Sequence, residues 1–598
     1  VSYVQSKSDE FTEELLIRPL PDGKLHVHFQ FTIRSNNTSG NHFELFPHSI
    51  GQTVEKFEVN EFHLSFTQGR WFNDRWGYPI ISAPLGAELW TWFAPARNNS
   101  DDSTQRVSKL WKGLTYTLAG LFCASLEEMK DTVTSTPHYS FYPDGKANFF
   151  GGHVEDGLVK YSSLPREAVC TENLTPWLKI LPCKSKSGLA GLVNSLKLYA
   201  VHYHSMATHF RFICPHASHC QTPTMELAQT LSVVFDPAKR GSSNEWSLQS
   251  LFGREGVSLC PAASLSNIYV QTIGHSDKFT DQITLQPAPQ TFITSSGSPT
   301  LAVYNITQFA KTAYVEKWNH SKSSMPLFSL KGVATGKQGT PGWHLQSPSF
   351  RADRYVTGWG HEFGGLSTLF ENLGSDPLTV TYHDMVPWWL KVYFHTIKLS
   401  INGSQIASPV KEFSQFHLVP CEDRSVPSVI EFTMDIAPHT TVEFSIEFDK
   451  AFLHWTEHPP DAHRGFDLGS AVVSVSFPSS HNIPFVGLEW SPVLYPNHTV
   501  TSHPIRFYTQ GHLIQLATPD FSMPYNVITL TGTVFALLFG SMLNIMIRRM
   551  RFLDRVNNEF VSRKPLARIF RKLLEIVDEN VENEQSNNNA NAVHSHND

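Results

Sequence analysis

Residues 527–547, VITLTGTVFALLFGSMLNIMI, carry no charge, and Arg548, Arg549 and Arg551 follow directly. At ~1.5 Å rise per residue such a stretch reaches about 30 Å, the thickness of a bilayer's hydrocarbon core. It predicts one membrane-spanning helix, because hydrocarbon leaves backbone polar groups no partner outside their own helix. The basic cluster after it predicts a cytosolic tail over 548–598. The residues before it then face a lumen or the exterior.

A chain in that orientation needs a signal peptide. With Val1 first, the expectation is a mature chain from which it has been removed. Eight N-x-S/T acceptors precede the span and none follows it: Asn36, Asn37, Asn98, Asn173, Asn305, Asn319, Asn402 and Asn497. They are the N-glycosylation candidates, and their one-sided distribution fits a lumenal glycoprotein. Asn36 and Asn37 compete for one site, and Asn173 is followed by Leu-Thr-Pro, which disfavours modification. The seven cysteines, Cys123, Cys170, Cys183, Cys214, Cys220, Cys260 and Cys421, also precede the span. An oxidising compartment favours disulfides, and an odd count leaves one thiol free or paired with another chain.

Aromatic residues make up 12% of the chain, and 37 Pro and 35 Gly punctuate it, which favours β-rich architecture over long helices. The net charge of −7, with both signs intermixed, offers no nucleic-acid surface. Residues 25–33, LHVHFQFTI, alternate behind an Asp-Gly turn and read as one arm of a hairpin. Residues 109–126 carry leucines at helical spacing. From about 350, short strands separated by turns such as Asn402-Gly403 predict a sandwich. The fold expected is mainly β (α+β), with β-sandwich-type domains, then one transmembrane helix and a short amphipathic helix. Its boundaries are a β-rich domain over 1–284, a loop-rich connection over 285–350, a β-sandwich over 351–520, the span at 527–547 and the tail at 548–598. In the tail, Leu566, Ile569, Phe570, Leu573, Leu574 and Val577 form one helical stripe beside basic residues.

Enzyme signatures are missing. The chain has no G-x-S-x-G elbow, no phosphate-cradling loop and no dinucleotide fingerprint. His361-Glu362 begins like a zinc motif, but Gly364-Gly365 follow and the second histidine is absent, so no metal site is expected. His383-Asp384 and the group His454, Glu457, His458, Asp461 and His463 contain acid–base chemistry in principle. The latter group adjoins Pro459-Pro460 and reads as a solvated turn. Trp388-Trp389 reads as sandwich core rather than an exposed ledge. Cys170 admits three readings: a nucleophile without an assigned base, an internal 170–183 disulfide, or a bridge to another chain. Composition by itself favours an internal disulfide.

Several long segments then coincide: HLSFTQGRW (63–71), GAELWTWF (86–93), LPREAVCTENLTPWLKILPC (164–183), VPWWLKVYFHTI (386–397), HWTEHPPDAHRGF (454–466) and TPDFSMPYNVITLT (518–531). Together they resemble the PIG-T family of GPI transamidase subunits, from about residue 11 through the span. Residues 285–350 and the tail match less well, and tail and length point to a fungal-type version. The resemblance implies a non-catalytic scaffold of the endoplasmic reticulum membrane, with its bulk lumenal, no catalytic residue and no cofactor. Chemistry would belong to a caspase-like protease subunit, PIG-K, working through an acyl-enzyme. The family's intersubunit disulfide to PIG-K falls in the C-T-E-N-L-T-P-W motif, hence on Cys170, leaving six cysteines for three internal pairs. The other membrane subunits would be partners, with the GPI lipid nearby and Asn526 and Asn544 as polar contacts for lipid or neighbouring spans. The alternatives are a lumenal hydrolase acting alone on glycans or peptides through the 454–463 group, and a surface adhesion receptor.

Overall fold

The computed structural model describes residues 9–36, 44–95, 103–145, 158–214, 223–237, 245–272, 283–293, 300–309, 327–334, 348–358, 360, 362–459, 461, 463–478, 486–495, 504–518, 522–548 and 572. Asn37, Asn98, Asn319, Asn497, Cys220, His361 and the amphipathic stripe of the tail lie outside the described residues. The chain divides into two compact units, Val1–Thr518 and Pro519–Asp598.

The first unit is built on an eleven-stranded sheet. Its strands run in the order Thr291–Ile293, Leu301–Asn305, Leu265–Gln271, Glu10–Pro19, Leu25–Ser35, Thr224–Phe235, Tyr203–Ile213, Val59–Gln68, Gly86–Phe93, Val159–Leu164 and Thr134–Ser135. Neighbours are antiparallel except Glu10–Pro19 with Leu265–Gln271, where Leu15 pairs Ile268 in parallel. The alternation in 25–33 is realised: Leu25, Val27, Phe29, Phe31 and Ile33 all enter one apolar core. Against that core lie Trp111, Leu114, Leu118 and Phe122 of the helix Ser103–Phe122, and Leu174 and Trp177 of the helix Thr171–Ile180. The opposite face is polar yet buried. His26, His28 and Gln30 are each no more than 1% exposed, because Trp71 packs on His26 while Leu488 and Trp490 cover His28 and Gln30. The Trp490 indole donates to Gln30 Oε1 at 2.8 Å, and Gln30 Nε2 donates to the Leu488 carbonyl at 2.7 Å.

Residues 350–516 form the expected sandwich. One five-stranded sheet has the order Phe350–Thr357, Phe363–Asn372, Thr440–Lys450, Leu390–Ile401, Ser404–Gln405. The other has the order Gln415–Val419, Ser428–Ile436, Leu378–Val386, Val472–Ser476, Ile505–Tyr508. Every second residue of Thr440–Lys450 points inward, so Val442, Phe444, Ile446 and Phe448 meet Val380, Tyr382, Phe432 and Val473 from the facing sheet. Asn402, at φ 49°, and Gly403, at φ 80°, form the two-residue turn the sequence predicted.

One expectation needs correction. The stretch 285–350 is not only a connection: Thr291–Ile293 and Leu301–Asn305 complete the edge of the large sheet, and Lys331–Ala334 joins a small sheet with Ile283–Gln286 and Glu245–Ser247. These strands are three to five residues long and sit among Ser, Thr and Pro, so their periodicity was too short to register.

The second unit contains the helix Ser522–Ile547, of which Tyr525–Ile547 is long and apolar enough to cross a membrane. Four of its hydroxyls are satisfied within the helix. Thr529, Thr531, Thr533 and Ser541 donate to the carbonyls of Tyr525, Val527, Leu530 and Leu538 at 2.6–2.9 Å.

Candidate functional site

Cys170 is the N-cap of the helix Thr171–Ile180, with an extended backbone at φ −141° and ψ −174°. Its thiol is free and half-buried. One side chain places it. Asn173 Oδ1 accepts the Cys170 backbone N–H at 3.0 Å, which satisfies an otherwise orphaned donor near the helix start. Asn173 Nδ2 donates to the carbonyls of Phe122, at 3.2 Å, and Cys123, at 2.9 Å. Those carbonyls end the helix Ser103–Phe122, and Cys123 turns the chain at φ 53°. Asn173 therefore ties the end of one helix to the start of the next, and it fixes the backbone from which the Cys170 sulfur projects.

This geometry removes Asn173 from the glycosylation candidates. The residue is 1% exposed and all its amide capacity is engaged. Asn173→Ala should lower stability by about 2–3 kcal/mol, since it leaves buried carbonyls and an N–H without partners. It should leave electrophoretic mobility unchanged before deglycosylation, because no glycan is lost with it. A denaturation midpoint and an untreated gel run beside a glycosidase-treated one check both. Among the other described sequons, Asn36 and Asn402 are exposed and Asn305 is half-buried. Asn402 accepts the Thr441 N–H through Oδ1 at 2.9 Å, which leaves its nitrogen outward for a glycan.

The cysteines differ from expectation. Cys183 pairs with Cys260, not with Cys170, across 77 residues of sequence. This link fastens the segment after the Cys170 helix to the approach of the strand Leu265–Gln271, and the chain-entropy argument gives it about 4–5 kcal/mol. Cys214 is disulfide-bonded as well. Cys123 and Cys421 are free, so the six cysteines besides Cys170 do not form three internal pairs. Cys123 ends the helix Ser103–Phe122 and is exposed, and Cys421 follows the sandwich strand Gln415–Val419.

The histidine and tryptophan groups have structural partners. His383 and Asp384 are buried where the sandwich meets the large sheet. Asp384 pairs with Arg354 at 2.6 Å and accepts the Tyr382 hydroxyl at 2.9 Å. His383 Nε2 is 3.1 Å from Ser135 Oγ, and its Nδ1 lies 3.6 Å from Glu431 Oε1, an ion-pair contact rather than a hydrogen bond. In the 454–463 group, Glu457 binds Arg424 and accepts the His454 N–H at 2.7 Å. The Arg424 hydrogen bond is the main reason its carboxyl is held down at about 2. Among the described residues, no group of histidine, cysteine and carboxylates is arranged to hold a metal ion. Trp389 is core, while Trp388 is half-buried with the Arg424 guanidinium 4.9 Å over its ring.

Sequence reasoning missed a buried polar layer on the second face of the large sheet. Glu14, His28, His63, Glu88 and His209 are all under 9% exposed. The available signal was composition. The polar positions of LHVHFQFTI are His, Gln and Thr, whereas a solvated strand face usually carries Lys and Glu as well.

Asn526 and Asn544 both lie on the apolar helix and are exposed. Among the described residues neither side chain has a hydrogen-bond partner, in contrast to the hydroxyls of the same helix.

A profile described as Gpi16 subunit, GPI transamidase component, matches residues 1–245 and 237–577. It extends over 285–350 and past the span, where the resemblance read from motifs was weaker. The chain is 39% identical over 551 residues to the GPI-anchor transamidase component PIGT of Mus musculus, covering 90% of each chain. It is 38% identical to the Homo sapiens protein of the same description, again with 90% of each chain covered. Identity to the GPI transamidase component GPI16 of Saccharomyces cerevisiae is 28% over 571 residues, covering 90% and 88%. The fungal-type expectation gains no support from these values, because identity is higher to the two mammalian proteins.

Proposed function

We propose, on the premise that this chain belongs to the Gpi16 family and is a component of GPI transamidase, that it is the complex's non-catalytic scaffold. In this reading Val1–Thr518 lies in the lumen of the endoplasmic reticulum, Tyr525–Ile547 crosses its membrane and the tail is cytosolic. Cys170 forms a disulfide with the caspase-like protease subunit PIG-K, and the other membrane subunits assemble around the span. Asn526 and Asn544 offer unengaged amides to neighbouring helices or the GPI lipid, where hydrocarbon makes a polar partner valuable.

The observation that carries this reading is the setting of Cys170. It is a free, half-buried thiol on a helix start held by Asn173, while Cys183, its nearest cysteine downstream in sequence, is already bonded to Cys260. A thiol held on a fixed backbone suits a covalent link, which turns a reversible contact into an intramolecular one at high effective concentration. The hydrolase alternative would need the 454–463 group as an acid–base pair, and Glu457 is instead engaged by Arg424 and the His454 amide.

Cys170→Ser should leave the unit folded and abolish the covalent heterodimer on a non-reducing gel. Mass spectrometry of the wild-type band identifies the partner cysteine. A dimer band that survives the substitution would refute the assignment, and transamidation or peptide cleavage by this chain without partners would refute the scaffold role.

A further inference from the structure

Where the polar face of the large sheet meets the sandwich, the molecule contains a cavity of about 120 Å³. At ~15 Å³ per water this is room for about eight waters, more than a single small polar group needs. His63, Trp90, His209 and Arg211 line it from the sheet, and Arg506 lines it from the sandwich strand Ile505–Tyr508.

Two groups in it are uncompensated. The Arg506 guanidinium lies 4.7 Å from the ring centre of Trp90 and 5.1 Å from that of Phe141. Among the described residues it has no carboxylate partner. The acidic residues lining the cavity, Asp144 and Glu489, both act on Arg211 instead, and Glu489 lies 3.1 Å from it. The second group is His209, whose side chain is more than nine-tenths buried. Its Nδ1 is 2.8 Å from His63 Nδ1, and its Nε2 has no partner. Burial first, and then the charges of His63, Arg211 and Arg506, hold the His209 imidazole well below its usual pKa. It stays neutral, in a positive local potential.

We propose that this cavity binds a phosphate group. The planar guanidinium, pre-oriented by stacking on two rings, presents a fork that matches two phosphate oxygens. When His63 donates through Nδ1 to His209 Nδ1, the hydrogen on His209 sits at Nε2, a buried atom behind the cavity wall. The other nitrogen of His63 lies 3.5 Å from Glu88 Oε2. The phosphate comes either as the free ion or as a monoester of a small alcohol. The site is independent of any role of Cys170.

The test uses the full chain in detergent, with the melting midpoint followed against inorganic phosphate, phosphoethanolamine, myo-inositol and sodium chloride of matched ionic strength. A saturable rise is expected with phosphate-bearing probes at concentrations up to about 10 mM, and none with inositol or salt. Equal response to both phosphates identifies the free ion as sufficient, and response to phosphoethanolamine alone identifies an ester. Arg506→Ala should weaken binding about tenfold or more, and Arg506→Lys should recover only part, because it restores charge without the fork. Arg506 is half-buried, so its variants should melt like wild type without ligand. No saturable response in the wild type, an equal response to inositol or salt, or unchanged affinity in Arg506→Ala would each overturn the proposal.

Discussion

Glu431→Ala should destabilise the unit Val1–Thr518 by about 3–5 kcal/mol, a magnitude set by removing one member of a buried charged hydrogen-bond network. Glu431 is fully buried on the sandwich strand Ser428–Ile436 and reaches into the first half of the unit. There its carboxylate accepts three consecutive backbone N–H groups: His138 at 2.7 Å, Tyr139 at 3.1 Å and Ser140 at 2.8 Å. Burial works to raise its pKa, but the neighbouring His383 and the backbone donors prevail and hold it at about 2. The substitution would orphan three amides and leave His383 without its carboxylate. Glu431→Gln is the milder change. Its amide oxygen can still accept two N–H groups, but its NH₂ then faces the His138 N–H, for a loss of about 2 kcal/mol. Denaturant midpoints give both values. Hydrogen exchange should rise over 134–141 and 378–386 in the alanine variant, because this carboxylate couples the sandwich to the large sheet. Unchanged exchange there would mean that apolar packing alone joins the two halves.

That junction shows where sequence reasoning reaches and where it stops. The span was legible because 21 uncharged residues have few other uses, and the sandwich was legible because alternation and turns persist over more than a hundred residues. The hairpin arm at 25–33 was read correctly, but its polar face was not recognised as buried. Alternation states only that two faces differ. It cannot state that residues 488–491, more than 450 positions away, cover the second one. Cys170 stood out by motif, whereas its mechanical basis was hidden. Asn173 looked like a disfavoured sequon, and only the approach of the Phe122 and Cys123 carbonyls shows it to be a clasp. Cysteine pairing was likewise inaccessible, since spacing put Cys183 near Cys170 while the fold puts it 5.9 Å, between Cα atoms, from Cys260. The Glu431 cradle joins residues separated by about 290 positions, and nothing local in Ser428–Ile436 marks it.

The buried carboxyls and histidines of the large sheet lead to the second large effect, a stability maximum near pH 6–6.5 with losses on both sides. Burial raises the carboxyls of Glu13 and Glu14 from 4.5 to about 7, and burial followed by Asp144 raises Glu61 to about 8. A carboxyl raised on folding holds its proton more tightly in the native state. Its contribution is fully present below about 4.5 and is lost as pH climbs through the folded value. Between pH 6.5 and 8 these three groups should remove about 3 kcal/mol, since each proton held only by the native state costs about 1.4 kcal/mol per pH unit climbed. Histidines act in the opposite direction. Burial lowers His28 to about 3 and His204 to about 4, and it drives His26 and His209 well below 6.5. Below pH 6.5 the unfolded chain protonates all four and the native state does not, so stability falls with acid. Down to pH 4.5 the three carboxyls oppose them, leaving about one net proton and a slope of about 1.4 kcal/mol per pH unit. Below 4.5 that opposition ends, and Glu431, which must be ionised in its cradle, adds to the loss, so the acid limb should steepen abruptly. Melting midpoints of the full chain in detergent from pH 3 to 9 would trace the curve. Glu61→Gln should flatten the limb above pH 6.5, because an amide there has no proton to release, and His28→Gln should soften the acid limb. A midpoint that rises steadily from pH 6 to 8 would mean that these carboxyls are ionised in the native state, and that solvent reaches Glu13 beneath Leu189, Glu14 beneath Ser491 and Glu61 beneath Asp144 and Gly145.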